Sequence, residues 1–199
     1  MSSLTKTPLV LASSSPSRKA VLEKLQLDFV VVSPDLDETP NPGETASQLV
    51  RRLSWQKAVS VSLRHKCHLI IGSDQVAVLD DTIVGKPKDR DDAVAQLKSA
   101  SGKEVYLFTG LALVNSNTGD VQIDVLPYRV VFRKLSTKAI EDYIDRDQPF
   151  DCGGSLRSEG LGVALLSEFD GTDPNILLGL PVVRLIDMLA VEGVYPLAN

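Results

Sequence analysis

The sequence predicts an α/β fold: a mixed, partly antiparallel, twisted sheet flanked by helices and opening in a ligand cleft. Three observations carry this. The first part of the 199-residue chain alternates short Val-, Ile- and Leu-rich runs with segments of helical periodicity. The middle holds two long apolar runs joined by Asn115–Gly119 (NSNTG), a turn sequence that makes them a hairpin. The last part returns to helix, strand and helix. No repeat, low-complexity tract or linker divides the chain, so residues 1–199 are expected to form one domain, with room for two lobes around a cleft.

The elements follow in order. Leu9–Ala12 is a short apolar strand. A helix is expected from Pro16, with Ala20, Val21, Leu22 and Leu25 as its apolar stripe. Phe29–Ser33 is the next strand. A second helix from near Glu44 carries Leu49, Val50, Leu53, Ala58 and Val61 on one face. His68–Leu79 is a long strand, and a helix from Arg90 follows the acidic segment Lys88–Asp92. Val105–Val114 is paired through the turn with Val121–Leu126 and Tyr128–Leu135, which read as one strand over 120–135 bent at Pro127. Ser136 offers a hydroxyl cap for a fourth helix, Gly162–Leu166 is a strand candidate, and a final helix starts near Leu180.

Composition narrows the function classes. The chain is 43% hydrophobic and 24% charged, ordinary for a globular protein with a substantial core. A net charge of -5 and 5% aromatics disfavour a nucleic-acid binder, which usually carries a basic face. No run approaches the roughly 18 apolar residues of a membrane span, and no signal peptide is recognised. Cys67 and Cys152 lack metal-ligand spacing and read as reduced thiols. A cytoplasmic protein without membrane attachment is expected.

Several polar segments interrupt these elements. Ser13-Ser-Ser-Pro-Ser-Arg-Lys links the first strand to the first helix. Read alone, Ser15 is a helix cap, or the helix N-terminus is an anion site. Arg18 in the first turn opposes the helix dipole, which fits a bound anion better than a bare cap. Asp35, Asp37 and Glu38 crowd one loop, either as a solvated acidic turn or as carboxylates for a hard cation. In Leu69-Ile-Ile-Gly-Ser-Asp-Gln-Val, Asp74 and Gln75 sit inside a largely apolar strand. A buried carboxylate needs a partner, so Asp74 is the strongest single site candidate. Val84-Gly-Lys-Pro presents Lys86 from a tight loop. Cys152–Gly160, with Arg157 and Glu159, either has the glycines and hydroxyls to wrap a small polar ligand or is a plain flexible loop. Lys57, in the second helix, is unremarkable by pattern. Cations and hydroxyls opposite carboxylates point to a phosphoanhydride substrate and hydrolysis; no Walker A or Rossmann fingerprint is present.

With SSSPSRK, DLDETP, WQKA, IIGSDQV, GKP, FTGLAL and GGSLRSEG in this order, the chain resembles the Maf family of nucleoside triphosphate pyrophosphatases over residues 9 to 193. Gln75 and the loop ending in Ser158-Glu159-Gly160 resemble the branch that acts on 7-methyl-GTP rather than the branch acting on dTTP and UTP. The resemblance implies a sheet related to ITP pyrophosphatases. It also implies cleavage between the α and β phosphates, a divalent cation (Mg or Mn), a nucleotide substrate and a homodimer. By position it makes Asp74 the proton acceptor and, with Glu38, a metal ligand. Ser13, Arg18, Lys57 and Lys86 would hold the triphosphate, and Ser17, Gln75 and Glu159 would tune base choice. A carboxylate at Glu159 suits the adjacent N1–H and N2–H donors of guanine, and the cationic ring of 7-methylguanine favours it further. Ser17 departs from the Trp found in relatives of that branch and cannot stack on the base. Two rivals stand beside this reading: a dTTP or UTP pyrophosphatase, and a nucleotide-sensing regulator of cell division.

Overall fold

The computed structural model describes residues 7–197. Its elements are β1 (Leu9–Ala12), α1 (Pro16–Glu23), β2 (Phe29–Val32), α2 (Ala46–Ser62), β3 (Leu69–Leu79), β4 (Thr82–Val84), α3 (Arg90–Ala100), β5 (Glu104–Asn115), β6 (Val121–Phe132), α4 (Thr137–Asp147), β7 (Leu166–Asp170) and α5 (Val182–Val191). Short 3-10 turns span Gly153–Ser155, Leu161–Leu165 and Pro174–Leu178. The strands form one seven-stranded sheet in the order β2-β1-β3-β5-β6-β7, with β4 added beside β3. β1 runs parallel to β2 and β3, and the remaining pairs are antiparallel. The sheet is mixed, as the alternation of elements predicts.

Local chemistry sets the helix starts. The Ser15 and Ser136 hydroxyls accept the backbone N–H three residues on. Thr45 and Gln48 form a reciprocal capping box, which moves the start of α2 just past the expected Glu44. Asp89 caps α3, and Asp91 and Asp92 lie in its first turn. The last helix begins at Val182 rather than Leu180, because buried Asp173 takes the Val183 N–H at 2.8 Å. The expected strand Gly162–Leu166 is a correction. Its apolar residues form a 3-10 turn that puts Leu165 and Leu166 into the core, and the strand is the polar segment Leu166–Asp170 on the sheet edge. β6 runs through Pro127, which is tolerated because β7 pairs with β6 only from Arg129 onward.

Side-chain alternation divides the core. Leu9, Leu11, Leu69, Ile71, Leu111 and Leu113 pack toward α1 and α5. Val10, Ala12, Ile70, Ala112 and Val114 pack under Ala58 and Val61 of α2. A third cluster joins the far halves of β3, β5 and β6 to α3 and α4. Helix α2 sits directly on the sheet backbone. A Cβ at Gly72 would run into the Ser54 carbonyl and come within 2.9 Å of the Ala58 nitrogen, and one at Gly110 would run into the Val50 carbonyl. No helix among the described residues is long and apolar enough to cross a membrane.

Replacing Gly72 with Ala is therefore expected to lift α2 off the sheet. Overpacking of this kind costs about 1–3 kcal/mol, and calorimetry should show Tm falling by about 2–4 °C for each kcal/mol in a chain of this size. An unchanged Tm would show that α2 does not depend on this close approach.

Candidate active site

The cleft arises from unequal strand lengths. β1 ends at Ala12, in register with Val32 of β2 and Gly72 of β3. β3 continues beside β5 as far as Val78, and its other edge is bare over residues 73–76, between the end of β1 and the start of the β4 pairing at Ala77. The gap is a cavity of about 490 Å³. It is bounded by the β1–α1 junction, the loop after β2, α2, the middle of β3, the turn after β4, the loop at 151–159 and residues 177–179. Ser13, Ser17, Arg18, Glu38, Lys57, Asp74, Gln75, Lys86 and Glu159 all line it.

On its floor is an ion triad with two buried members. Asp74 lies on the same face of β3 as Ile70 and Gly72, the face toward α2. Lys57 Nζ donates to Asp74 Oδ1 at 2.6 Å and pairs with Glu38 Oε1 at 2.8 Å. The Lys57 and Asp74 side chains are 6% and 8% exposed, whereas Glu38 is 51% exposed. Burial pushes the Glu38 carboxyl up, but the Lys57 hydrogen bond and the charges of Lys57, Lys86 and Arg18 outweigh it and hold the group below the ordinary carboxylate range. The acidic loop is steadied from α2. Arg52 donates to both Glu44 oxygens at 2.7 Å and to the Thr39 carbonyl at 3.1 Å. Those Arg52 hydrogen bonds pull the Glu44 carboxyl down to about 2. Asp37 accepts the Thr39 N–H and, like Asp35, does not line the cleft.

The β1–α1 junction forms one wall. Ser15 is a helix cap, accepting the Arg18 N–H at 3.3 Å, while buried Ser13 accepts the Ser15 N–H at 3.1 Å. The Arg18 side chain leaves the helix axis: Nε donates to the Gly179 carbonyl at 2.8 Å and a terminal nitrogen to Ser13 Oγ at 3.4 Å. That carbonyl and the nearby charges of Asp74 and Glu38 accommodate a cation that would otherwise oppose the helix dipole. Burial lowers the Arg18 pKa and the two carboxylates raise it, yet a guanidinium stays charged. Lys86, exposed on the opposite rim, has no ion-pair partner among the described residues.

At the other end Ser17 Oγ donates to Glu159 Oε1 at 2.5 Å, joining α1 to a loop far along the chain. Gln75 Nε2 donates to Thr109 Oγ1 and to the Ile176 carbonyl. Because a carbonyl only accepts, the amide nitrogen must point there, and Gln75 has only its oxygen left for a ligand. Tyr143 pins the 151–159 loop: its hydroxyl donates to the Ser155 carbonyl at 3.0 Å and accepts the Arg157 N–H at 2.8 Å. Arg157 is a second correction. It does not line the cleft but pairs with Asp151 and donates to the Gln148 carbonyl, so it shapes the loop. Cys152, which opens the loop expected to wrap a ligand, lines the cleft. Burial, reinforced by Asp151, pushes its thiol up to about 12, and both cysteines are free. Lys57 is the residue whose position pattern reading left unremarked. The one available signal was its spacing: Lys57 stands four residues after Leu53 and four before Val61, on the apolar stripe of α2.

Fold and cleft together define a mixed α/β protein with cations and carboxylates converging at the carboxyl end of a parallel strand, where such sheets bind ligands. The chain belongs to the Maf-like protein family, whose model matches residues 8–192. It is 51% identical over 187 residues to a 7-methyl-GTP pyrophosphatase of Pseudomonas fluorescens, covering 94% of this chain and 97% of that one. It is 50% identical over 186 residues to a protein of the same name from Pseudomonas aeruginosa, covering 94% and 97% of the two chains. The match to the namesake from Alcanivorax borkumensis is also 50% over 186 residues, covering 94% of each chain. Among solved structures, the Ham1 protein of Staphylococcus aureus aligns with a TM-score of 0.45 at 12% identity, over 64% of this chain and 72% of that one.

Glu38 ionises more readily in the folded chain than in the unfolded one. Its contribution to stability is present above the unfolded carboxylate pKa and is lost as pH falls through the lower folded value. The Tm difference between wild type and Glu38→Gln should therefore be largest near neutral pH and close as the pH drops below about 4. A difference that stays constant across thermal scans over that range would show that the Lys57 contact does not favour the charged form.

Proposed function

We propose that this chain is a nucleoside triphosphate pyrophosphatase that hydrolyses the α–β phosphoanhydride of 7-methyl-GTP to 7-methyl-GMP and pyrophosphate. The observation that carries the proposal is the convergence of Asp74, Glu38, Lys57, Arg18 and Lys86 on one cleft. Relatives about half identical over nearly the whole chain bear the matching name.

Asp74 takes the proton from a water that attacks the anhydride, and the bond to the pyrophosphate leaving group breaks. Before the nucleotide binds, the Lys57 hydrogen bond holds the Asp74 carboxylate in place at the cleft floor. Arg18, Lys57 and Lys86, with the Ser13 hydroxyl, bind the phosphate oxygens and offset the charge that gathers on the leaving group. Arg18 is preorganised for this by its bond to Gly179. Glu159 accepts the N1–H and N2–H donors of the guanine ring, and its negative charge suits a cationic methylated base. Ser17 has no ring to stack, but its bond to Glu159 orders an otherwise exposed carboxylate. Gln75 offers its amide oxygen from the neighbouring strand position.

The donor set fits a hard divalent cation. Glu38 and Asp74 already share one cation, and no group of three or more His, Cys, Asp or Glu among the described residues is arranged to hold an ion. Magnesium is commonly bound by one or two carboxylates plus substrate phosphates and water, which matches such a pair. Glu38 and Asp74 would hold Mg or Mn, whose chemistry when bound is neutralisation of phosphate charge.

Two measurements test this. A panel of nucleoside triphosphates assayed with Mg or Mn and with product identification should give 7-methyl-GTP the highest kcat/KM, releasing pyrophosphate; a preference for dTTP or UTP would overturn the base assignment. Asp74→Asn should lower kcat by about 100-fold or more, the usual contribution of a general base, while a nucleotide still binds. Full turnover in that variant would remove Asp74 from its role.

A further inference from the structure

Lys57 stands where a cation belongs. Its ammonium lies 2.6 Å from Asp74 Oδ1 and 2.8 Å from Glu38 Oε1, at the bottom of the cleft. The two carboxylates assigned to the metal thus already share one positive charge, and it comes from a group assigned to the phosphates. A dication entering beside this buried ammonium would meet a like charge at short range, where water screens poorly. The surroundings allow the ammonium to leave. Lys57 carries its charge on a flexible four-carbon stem with three rotatable donors, and Glu38 is half-exposed on a loop. Arg18, by contrast, is tied to Gly179.

We propose that Lys57 is the resident counter-cation of the metal site. It occupies the place between Glu38 and Asp74 until triphosphate oxygens draw it away, so the divalent cation binds together with the nucleotide and not ahead of it. The inference rests on the function proposed above for the choice of the two ligands, but it is read from metal binding, not turnover.

The experiment is Mn2+ binding by electron paramagnetic resonance, with the purified wild type and with Lys57→Met and Lys86→Met variants, in the absence of nucleotide. Lys86→Met removes one positive charge from the same cleft and controls for net charge. Lys57→Met is expected to bind Mn2+ at least about tenfold more tightly than either other protein, because only there is a competing charge removed from between the ligands. Lys57→Gln, which keeps a neutral donor for Asp74, serves if the Met variant does not fold. In the wild type alone, the Kd for a non-hydrolysable α,β-methylene analogue of GTP should fall about tenfold or more when Mn2+ is added, the reciprocal of nucleotide-promoted metal binding. Equal Mn2+ affinity in the Lys57 and Lys86 variants would overturn the proposal. So would a wild type whose analogue Kd is unmoved by Mn2+. If no nucleotide in the panel is hydrolysed while the Lys57 variants still gain Mn2+ affinity, the proposed activity falls and the counter-cation role stands.

Discussion

Lys57 reaches Asp74 only because α2 lies directly on the sheet. Two strand positions without side chains, Gly72 and Gly110, let the helix backbone come down at Ser54 and Val50. Asp74 is paired with Gly110 across β3 and β5, two residues beyond Gly72, where β1 ends. Raising the helix by the thickness of one methyl group at either glycine would stretch a 2.6 Å bond between two buried charges. An unpaired buried charge is far more costly than a broken surface bridge. The seating of the helix and the electrostatics of the cleft floor are therefore one constraint.

The rest of the cleft is arranged around that floor. Ending β1 and β2 early exposes the edge of β3, and the loops that leave those strands supply the facing groups. The first carries Ser13 and leads into α1 with Arg18, and the second carries Glu38, steadied by Arg52. The 151–159 loop closes the far side, held from below by Tyr143 and from across the cleft by the Ser17–Glu159 bond. The family match over residues 8–192 spans all of these segments.

Much of this was legible before the fold was seen. A carboxylate inside LIIGSDQV is conspicuous because burial of charge is expensive, and the register of β3 explains it. Arg18 was conspicuous for the opposite reason, as a cation at the wrong end of a helix, and the Gly179 carbonyl answers it. Other parts were hidden or misread. By pattern alone the acidic loop presented its three carboxylates as equals and only the family resemblance singled out Glu38; it is Glu38 that faces Lys57, while Asp37 closes a local turn. Arg157 looked like a ligand group and is a loop brace. Gly162–Leu166 had strand composition, but its apolar side chains were needed in the core, and the polar residues after it took the sheet edge.

The sequence by itself determined the alternation of elements, the mixed sheet, most helix caps and the set of charged and hydroxyl side chains that line the cleft. These depend on local periodicity, turn chemistry and side-chain type, all of which act over a few residues. The tertiary structure decided which charges meet. Lys57 joins Asp74 and Glu38, Arg18 turns to Gly179, and Ser17 reaches across 142 positions of sequence to Glu159. Such pairings follow from strand lengths, register and the height of a helix above a sheet. No local pattern encodes those quantities, because they are set only when the whole core packs.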